Sequence, residues 1–254
     1  MGGTEPRPRA RQDLLVGDTK RRVRAHRRGQ DAAVTRLRHG YTNRTRRLPA
    51  GAVEKRYDGA DAGDRSRCEY RCLTSLSGRL PVPQVIGWDA SVSVLTLVEM
   101  PWTHGQDMIE TGHGREVLRL LGALVRELQE IDPASVPGLP GRGDVIVHGD
   151  FGPQNVLIED GRISALLDWE FAHVGRSIED LAWAEWILRM HHPRHVDDLP
   201  ELFQAARLAP RWSGRQEAMV TRCRELLRTA EQADSPDGIS LWHQRLRITE
   251  GWAE

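Results

Sequence analysis

The first hundred residues contain short apolar runs that predict a small sheet with one helix. Each run has the length of a strand and is bounded by turn-forming residues. These candidate strands lie at Ala33–Arg38, Thr45–Leu48, Ala52–Tyr57, Val85–Trp88 and Val92–Met100. Between the third and the fourth, Arg65–Leu76 places its apolar residues at the spacing of one helix face.

The remainder of the chain shows longer amphipathic stretches that predict mainly helices. Arg115–Ile131 is the strongest of them. Its apolar stripe consists of Val117, Leu118, Leu121, Leu124, Val125 and Leu128. After a connector rich in Pro and Gly, two short strand patterns flank Asp160 and Gly161, a pair typical of tight hairpins. From about Ile178 onward the pattern is helical.

Composition and charge indicate a globular chain with an uneven distribution of charge. Of the 254 residues, 39% are hydrophobic and 28% are charged, which argues against a wholly disordered protein. No apolar stretch is long enough to predict a membrane span. The three Cys cannot build a disulfide framework, so we expect a reduced, cytoplasmic setting.

The basic residues concentrate at the beginning of the chain. Residues 1–50 hold 14 basic and 4 acidic side chains, so residues 51–254 carry an excess of ten acidic ones, because the whole chain is balanced. Residues 1–29 lack apolar periodicity and are interpreted as a basic tail. Only two of the basic residues are Lys, at positions 20 and 55, which draws attention to Lys55.

The hairpin predicted around residues 160–161 brings polar side chains together at its open end. With the turn centred between these two residues, paired positions add up to about 321. Asn155 then faces Leu166, with Asp168 two residues further on, and Asp150 lies in the loop just before the hairpin. Amide and carboxylate oxygens are ligands that suit Mg²⁺, so this spacing predicts a magnesium site.

Three segments in this region carry a family resemblance. They are His148–Leu157, in which four residues separate Asp150 from Asn155, then Leu167–Glu170, and then Gly175 with Glu179–Ala182. Together they resemble the catalytic loop, the metal-binding segment and the following helix start of the aminoglycoside phosphotransferase and choline kinase superfamily.

The resemblance implies the two-lobe fold of protein kinases, an α+β fold. A small sheet lobe with one helix would span residues 30–100, and a larger, mainly helical lobe would span residues 101–254. Such enzymes are small-molecule kinases that use ATP and Mg²⁺, and GTP stays open as an alternative donor.

The resemblance also implies roles for residues of the large lobe. Asp150 would orient the acceptor hydroxyl and accept its proton, while Asn155 and Asp168 would hold Mg²⁺ on the phosphates. Glu170 would bind a second metal ion or its water. His148 and Asp180 would be buried supports of the catalytic loop.

In the small lobe the resemblance places the nucleotide. Thr42 and Asn43 lie in the turn expected over the phosphates, Lys55 is the expected phosphate-binding lysine, and Glu69 is its expected ion-pair partner. The adenine would meet the Val98 C=O and the Met100 N–H.

The acceptor pocket departs from the family pattern. Many relatives carry a helical insertion where this chain has only the connector Asp132–Val147. We therefore expect the pocket to be formed by the later helices, with Trp183, Glu185, Trp186, Asp197, Asp198 and Glu201. Acidic and aromatic groups suit a cationic, amine-bearing acceptor, although an ordinary helix with Trp in the core explains them equally well.

The preferred interpretation is an ATP- and Mg²⁺-dependent O-phosphotransferase acting on an aminoglycoside or another antibiotic. One alternative is a housekeeping kinase for choline, an amino alcohol or a sugar. An alternative of another class is a non-catalytic protein that binds nucleotide or RNA through its Arg-rich beginning. The lack of aromatic residues between those arginines disfavours nucleic acid as a partner. The sequence leaves the oligomeric state open.

Overall fold

The computed structural model describes residues 43–100 and 103–254. The strand predicted at Ala33–Arg38, the position of Thr42 and the basic tail at 1–29 lie outside these residues. The division of the chain at residues 29 and 100 stays a prediction.

Among the described residues, four antiparallel strands form the small sheet, in the order β1-β2-β4-β3. They are β1 Arg44–Leu48, β2 Ala52–Arg56, β3 Val85–Asp89 and β4 Val94–Val98. From residue 43 to residue 100 there is one helix, α1, which spans Ala62–Leu76 and contacts β3 and β4. It begins three residues before the predicted start and buries the predicted face through Cys72, Leu73 and Leu76. The predicted sheet with one helix is confirmed.

The second part of the chain is mainly helical, as predicted. Its helices are α2 Gly105–Glu110, α3 Gly114–Gln129, α4 Ile178–His191, α5 Leu199–Ala206, α6 Trp212–Gln232 and α7 Pro236–Glu250. All six residues of the apolar stripe predicted for α3 are buried. α3 packs against α5 so closely that a Cβ added at Gly122 would lie 2.2 Å from the carbonyl oxygen of Leu202.

Small antiparallel strand pairs lie between these helices. They are β5 Thr103–His104, which pairs with β7 Val156–Glu159, then β8 Arg162–Leu166, which also pairs with β7, and β6 Val145–Val147 with β9 His173–Gly175. Together with the four-stranded sheet and the helices they form the α+β fold that the resemblance implied.

The register of the β7–β8 hairpin corrects the sequence prediction. A bulge at Ser164 shifts the pairing, so Val156 and not Asn155 faces Leu166. Asn155 lies one position further out, and its carbonyl accepts a hydrogen bond from the Leu167 N–H at 2.8 Å. The Asn155 side chain donates hydrogen bonds to Asp150.

A continuous apolar core joins the helix α1 to the helices of the larger part. It includes Leu73 and Leu76 of α1, Leu121 of α3, and Trp169 beside the hairpin, all 0–1% exposed. Within the described ranges, none of the helices combines the length and the apolar character needed to cross a membrane.

Candidate active site

Lys55 joins the small sheet to the segment after the β7–β8 hairpin. Its Nζ lies 2.6 Å from Oε2 of Glu69 and 2.7 Å from Oδ1 of Asp168, although Asp168 is 113 residues away in the chain. Tyr57 follows directly after β2, two residues beyond Lys55, and its hydroxyl donates to the same Glu69 oxygen. Lys55 is 4% exposed and Glu69 is 1% exposed. This is the lysine–glutamate pair that the resemblance implied.

The charges of this cluster shift the proton affinity of one another. Burial raises the pKa of Glu69 to about 7, against the opposing attraction of Lys55. Burial lowers the pKa of Lys55. The attraction of Asp168 and Glu69 outweighs this effect and holds the pKa of Lys55 well above its ordinary value. Burial raises the pKa of Asp168, but the attraction of Lys55 outweighs this effect and holds the pKa of Asp168 below its ordinary value. The Lys55 ammonium and the Asp168 carboxylate are therefore both ionised at neutral pH.

Asp150 and Asn155 are joined by hydrogen bonds within the predicted catalytic loop. Nδ2 of Asn155 donates to Oδ2 of Asp150 at 2.9 Å and to the Asp150 carbonyl at 2.8 Å. The turn Pro153–Asn155 brings the two residues together. Burial raises the pKa of Asp150, whereas hydrogen bonds from Trp183 and Asn155 lower it. A carboxylate held in this way suits a group that accepts a proton from a hydroxyl.

Buried groups beneath the loop hold its backbone. The Asp180 carboxylate, in the first turn of α4, accepts from the His148 N–H at 2.8 Å and from the Gly149 N–H at 3.0 Å. Nε2 of His148 donates to the Leu167 carbonyl at 2.8 Å, and Nδ1 accepts the Asp150 N–H at 3.3 Å. These partners require a neutral imidazole with its proton on Nε2. His148 thereby links the catalytic loop to the segment that carries Asp168.

Two residues of the site have left-handed backbone conformations. Asp168 has φ 62° and ψ 58°, an uncommon conformation for a residue with a side chain, and it occurs where the strand β8 gives way to the turn Trp169–Phe171. Gly149 has φ +83°, and a Cβ at this position would lie 2.4 Å from the Phe171 carbonyl oxygen. The two segments therefore approach each other backbone to backbone.

Asn43 and Glu170 meet in a buried network with α1. Oε2 of Glu170 accepts from Nδ2 of Asn43 at 2.8 Å and from Nη1 of Arg65 at 2.9 Å, and Arg65 also donates to Oδ1 of Asn43 at 3.0 Å. Glu170 is 4% exposed. The structure thus shows Glu170 as a link between Asn43 and α1, and a role in metal binding stays a prediction.

Asn155 and Asp168 have the oxygen atoms that Mg²⁺ would need. Asn155 uses Nδ2 for its hydrogen bonds, and Asp168 uses Oδ1 for Lys55; neither the Asn155 Oδ1 nor the Asp168 Oδ2 has a partner among the described residues. No group of three or more His, Cys, Asp or Glu in the described ranges could hold a metal ion by itself. Two oxygen donors fit Mg²⁺, because this ion keeps waters and takes phosphate oxygens.

The predicted adenine contacts lie at the end of β4. The Val98 N–H donates to the Gln84 carbonyl at 2.9 Å, and the Glu99 N–H donates to the Gly51 carbonyl at 2.8 Å. No described residue accepts a hydrogen bond from the Met100 N–H. The assignment of Val98 and Met100 to adenine stays a prediction, and Thr42 lies outside the described residues.

Two of the residues predicted for the acceptor pocket are buried between helices. Glu185 is fully buried, with Oε1 2.8 Å from Nε of Arg189 and Oε2 2.7 Å from Nε of Arg215. Trp186 is 2% exposed, and its indole N–H donates to Oγ1 of Thr249 at 2.8 Å. Both side chains hold helices together, which corrects their predicted role.

The predicted acidic residues near position 200 lie close to basic side chains. Asp198 lies 2.9 Å from Nδ1 of His195 and 3.6 Å from Nε of Arg115, and Glu201 lies 3.0 Å from Nη2 of Arg115. Asp197 lines an open cleft together with Arg189, Arg207 and Arg215. Their role as an acceptor surface stays a prediction.

Two side chains from the late helices reach the catalytic loop. The indole N–H of Trp183 donates to Oδ1 of Asp150 at 3.0 Å, and Nη2 of Arg222 donates to the Gly149 carbonyl at 2.9 Å. Sequence reasoning assigned Trp183 only to the pocket wall and missed Arg222, because no local pattern links α6 to the loop. The role of Arg65 also went unnoticed, because no local pattern links α1 to Asn43 or Glu170.

Two relatives of known activity match short parts of the sequence. Viomycin phosphotransferase of Streptomyces vinaceus is 38% identical over 90 residues, which are 34% of this chain and 31% of that protein. Hygromycin-B 4-O-kinase of Escherichia coli is 38% identical over 69 residues, which are 25% of this chain and 20% of that protein. The chain therefore matches less than a third of the length of either relative.

Solved structures share the fold over most of the chain. Aminoglycoside 2′-phosphotransferase-IIIa in its GDP complex has a TM-score of 0.69 at 13% identity, covering 86% of this chain and 92% of that chain. Macrolide 2′-phosphotransferase from Brachybacterium faecium has a TM-score of 0.63 at 17% identity, covering 87% of this chain and 93% of that chain. The model of the phosphotransferase enzyme family matches residues 33–145 and 137–226, which together exceed half of the chain. The chain belongs to this phosphotransferase enzyme family.

Proposed function

We propose that the protein transfers the γ-phosphoryl group of ATP to a hydroxyl of an antibiotic. The observations that carry this proposal are the Lys55 ammonium, held between Glu69 and Asp168, and the hydrogen-bonded pair Asp150–Asn155. A cation, a free carboxylate oxygen, an amide oxygen and a half-buried carboxylate are groups that suit phosphoryl transfer. The names of the two matching relatives support an antibiotic as the acceptor.

Each residue has a defined task in this reaction. The Lys55 ammonium binds phosphate oxygens, and its ion pair with Glu69 fixes its position. Asp150 orients the acceptor hydroxyl and takes its proton as the oxygen attacks the phosphorus. Positioning and charge neutralisation account for most of the catalysis, because phosphoryl transfer needs little covalent chemistry from the protein.

Asn155 Oδ1 and Asp168 Oδ2 are the atoms that would hold Mg²⁺. When bound, the ion neutralises charge on the phosphates. The protein contributes the placement of these atoms: the turn Pro153–Asn155 brings Asn155 to Asp150, and Asp168, in a left-handed backbone conformation, meets Lys55 through Oδ1. GTP stays open as an alternative to ATP, since no described contact distinguishes the two bases.

Asp150→Ala tests the proposed reaction. With viomycin, hygromycin B, kanamycin, streptomycin, a macrolide and choline as acceptors, a coupled ADP-release assay measures turnover. We expect Asp150→Ala to lower kcat by about 10²–10⁴-fold, the usual contribution of a positioned general base. Calorimetry should show unchanged binding of Mg-ATP.

Asp144→Ala is the matched control, since Asp144 is an exposed carboxylate six residues earlier in the same region. It should leave turnover unchanged. Wild-type protein that phosphorylates none of the antibiotics would refute the proposed acceptor class, and turnover of choline would favour a housekeeping kinase. Turnover by Asp150→Ala within a few-fold of wild type would refute the catalytic assignment.

An amine-bearing acceptor is a separate part of the proposal. Its support is the excess of ten acidic residues in residues 51–254, which attracts cations. We expect the KM of the best acceptor to rise with ionic strength, while the KM of ATP changes less. Asp197→Asn combined with Asp198→Asn should raise the acceptor KM more than it lowers kcat. If the best acceptor is neutral, or if its KM does not change with ionic strength, the amine-bearing acceptor is refuted while the proposed phosphotransfer stands.

A further inference from the structure

The Asp150 carboxylate is held from two sides. Its Oδ2 accepts from Nδ2 of Asn155 at 2.9 Å, and its Oδ1 accepts from the indole Nε1 of Trp183 at 3.0 Å. The amide belongs to the catalytic loop itself, whereas the indole comes from α4, 33 residues later. We infer that Trp183 is a positioning residue that fixes the orientation of the Asp150 carboxylate toward the acceptor hydroxyl. This inference rests on the proposed function.

The Trp183 ring is immobilised by its neighbours. It is 6% exposed and stacks on Trp186 with ring centroids 4.3 Å apart and an interplanar angle of 6°. The guanidinium of Arg222 lies 5.9 Å from the centroid of the Trp183 ring, and the same side chain donates to the Gly149 carbonyl at 2.9 Å. Arg222 thus contacts both the indole and the loop that carries Asp150. The ring is a rigid donor, with a single N–H pointing at one carboxylate oxygen.

Removal of the indole N–H would leave the Asp150 carboxylate with one short hydrogen bond, from Nδ2 of Asn155. The remaining contact of Oδ1 is Nε2 of Gln154 at 3.5 Å, which is too long for a strong hydrogen bond. The carboxylate could then rotate about its side-chain bonds while Asn155 still holds Oδ2. A displacement of about 1 Å at a reacting group costs about 10²-fold in rate. Binding of the nucleotide would not change, because Trp183 does not contact Lys55 or Asp168 in the described structure.

Trp183→Phe and Trp186→Phe form a matched pair of variants. Each keeps an aromatic ring in the same stack and removes one indole hydrogen bond, of 3.0 Å and 2.8 Å respectively. Only the Trp183 bond ends on Asp150, since the Trp186 bond ends on Thr249. Both variants should lose stability, and only Trp183→Phe should lose turnover.

Steady-state kinetics of both variants with viomycin and hygromycin B separate positioning from packing. We expect Trp183→Phe to lower kcat by about 10- to 100-fold, with the KM values of ATP and acceptor within twofold of wild type. Trp186→Phe should keep kcat within twofold. In an Asp150→Ala background, Trp183→Phe should not lower the residual turnover further, because the oriented group is already absent.

A second measurement does not depend on turnover. In ¹H–¹⁵N spectra, the indole signal of Trp183 should shift in Asp150→Ala, while the indole signal of Trp186 should not. The inference would be overturned if the two Trp variants lost kcat equally, or if Trp183→Phe changed only KM. It would also be overturned if the Trp183 signal did not shift in Asp150→Ala. Wild-type protein without turnover of any acceptor would refute the proposed function, whereas an active wild type with an equally active Trp183→Phe would refute only the positioning role.

Discussion

Acid should destabilise this protein through the buried histidine of the catalytic loop. His148 is fully buried, donates through Nε2 to the Leu167 carbonyl and accepts the Asp150 N–H through Nδ1. Burial lowers its pKa from 6.5 to about 4, because the charged imidazolium would lose its hydration and the Asp150 N–H would face a second donor.

The sign of the effect follows from the two pKa values. Between pH 6.5 and about 4, the His148 of the unfolded chain takes up a proton that the folded protein does not bind. Folding stability from this residue is therefore complete above the unfolded pKa and declines as the pH falls. From about pH 7.5 to pH 5 the loss amounts to about 2 kcal/mol, and below the folded pKa it reaches about 3 kcal/mol.

The test is urea unfolding of wild type and His148→Gln at several pH values in this range. The substitution has its own cost in packing, which does not depend on pH, and other titrating groups act on both proteins alike. The free-energy difference between wild type and His148→Gln should therefore shrink by about 2 kcal/mol on acidification. A difference that stays constant would refute the reasoning, as would ring ¹⁵N shifts showing a charged His148 at neutral pH.

Further predictions concern the ion cluster and the helix packing. Lys55→Met should lower the free energy of unfolding by about 3–5 kcal/mol, because Glu69 would lose its buried partner, and should weaken ATP binding; unchanged urea unfolding together with unchanged ATP affinity by calorimetry would contradict this. Asp168→Asn should abolish the Mg²⁺ dependence of ATP binding, and calorimetry with and without Mg²⁺ measures it. Gly122→Ala should cost about 1–3 kcal/mol in unfolding experiments through overpacking, whereas Gly87→Ala, with no atom within 4 Å of its added Cβ, should not overpack.

Patterns that depend on neighbouring residues were predictable from the sequence. The spacing of apolar residues predicted α1 and α3, since a helix repeats its faces every three to four residues whatever it packs against. All six stripe residues of α3 are buried as expected. The motif around Asp150 and Asn155 pointed to the family, because the residues that define it lie close together in the sequence. Family membership and the two-part fold followed from such local information.

The tertiary structure decided which side chain meets which. Hairpin arithmetic placed Asn155 opposite Leu166, but the bulge at Ser164 moved it by one position, and single-residue bulges leave no clear mark in a sequence. Glu185 was predicted to line the acceptor pocket because it is acidic, but its carboxylate is buried and forms ion pairs with two arginines. An acidic residue on a helix carries no signal of the partner it will find.

The contacts of Trp183 and Arg222 with the catalytic loop show the same limit. Trp183 follows Asp150 by 33 residues and Arg222 follows Gly149 by 73, so their distances depend on how α4 and α6 pack. The sequence by itself determined the elements and the residue types available for catalysis. Only packing determined their mutual distances, because a hydrogen bond forms within about 3 Å and no periodicity along the chain specifies positions of that accuracy.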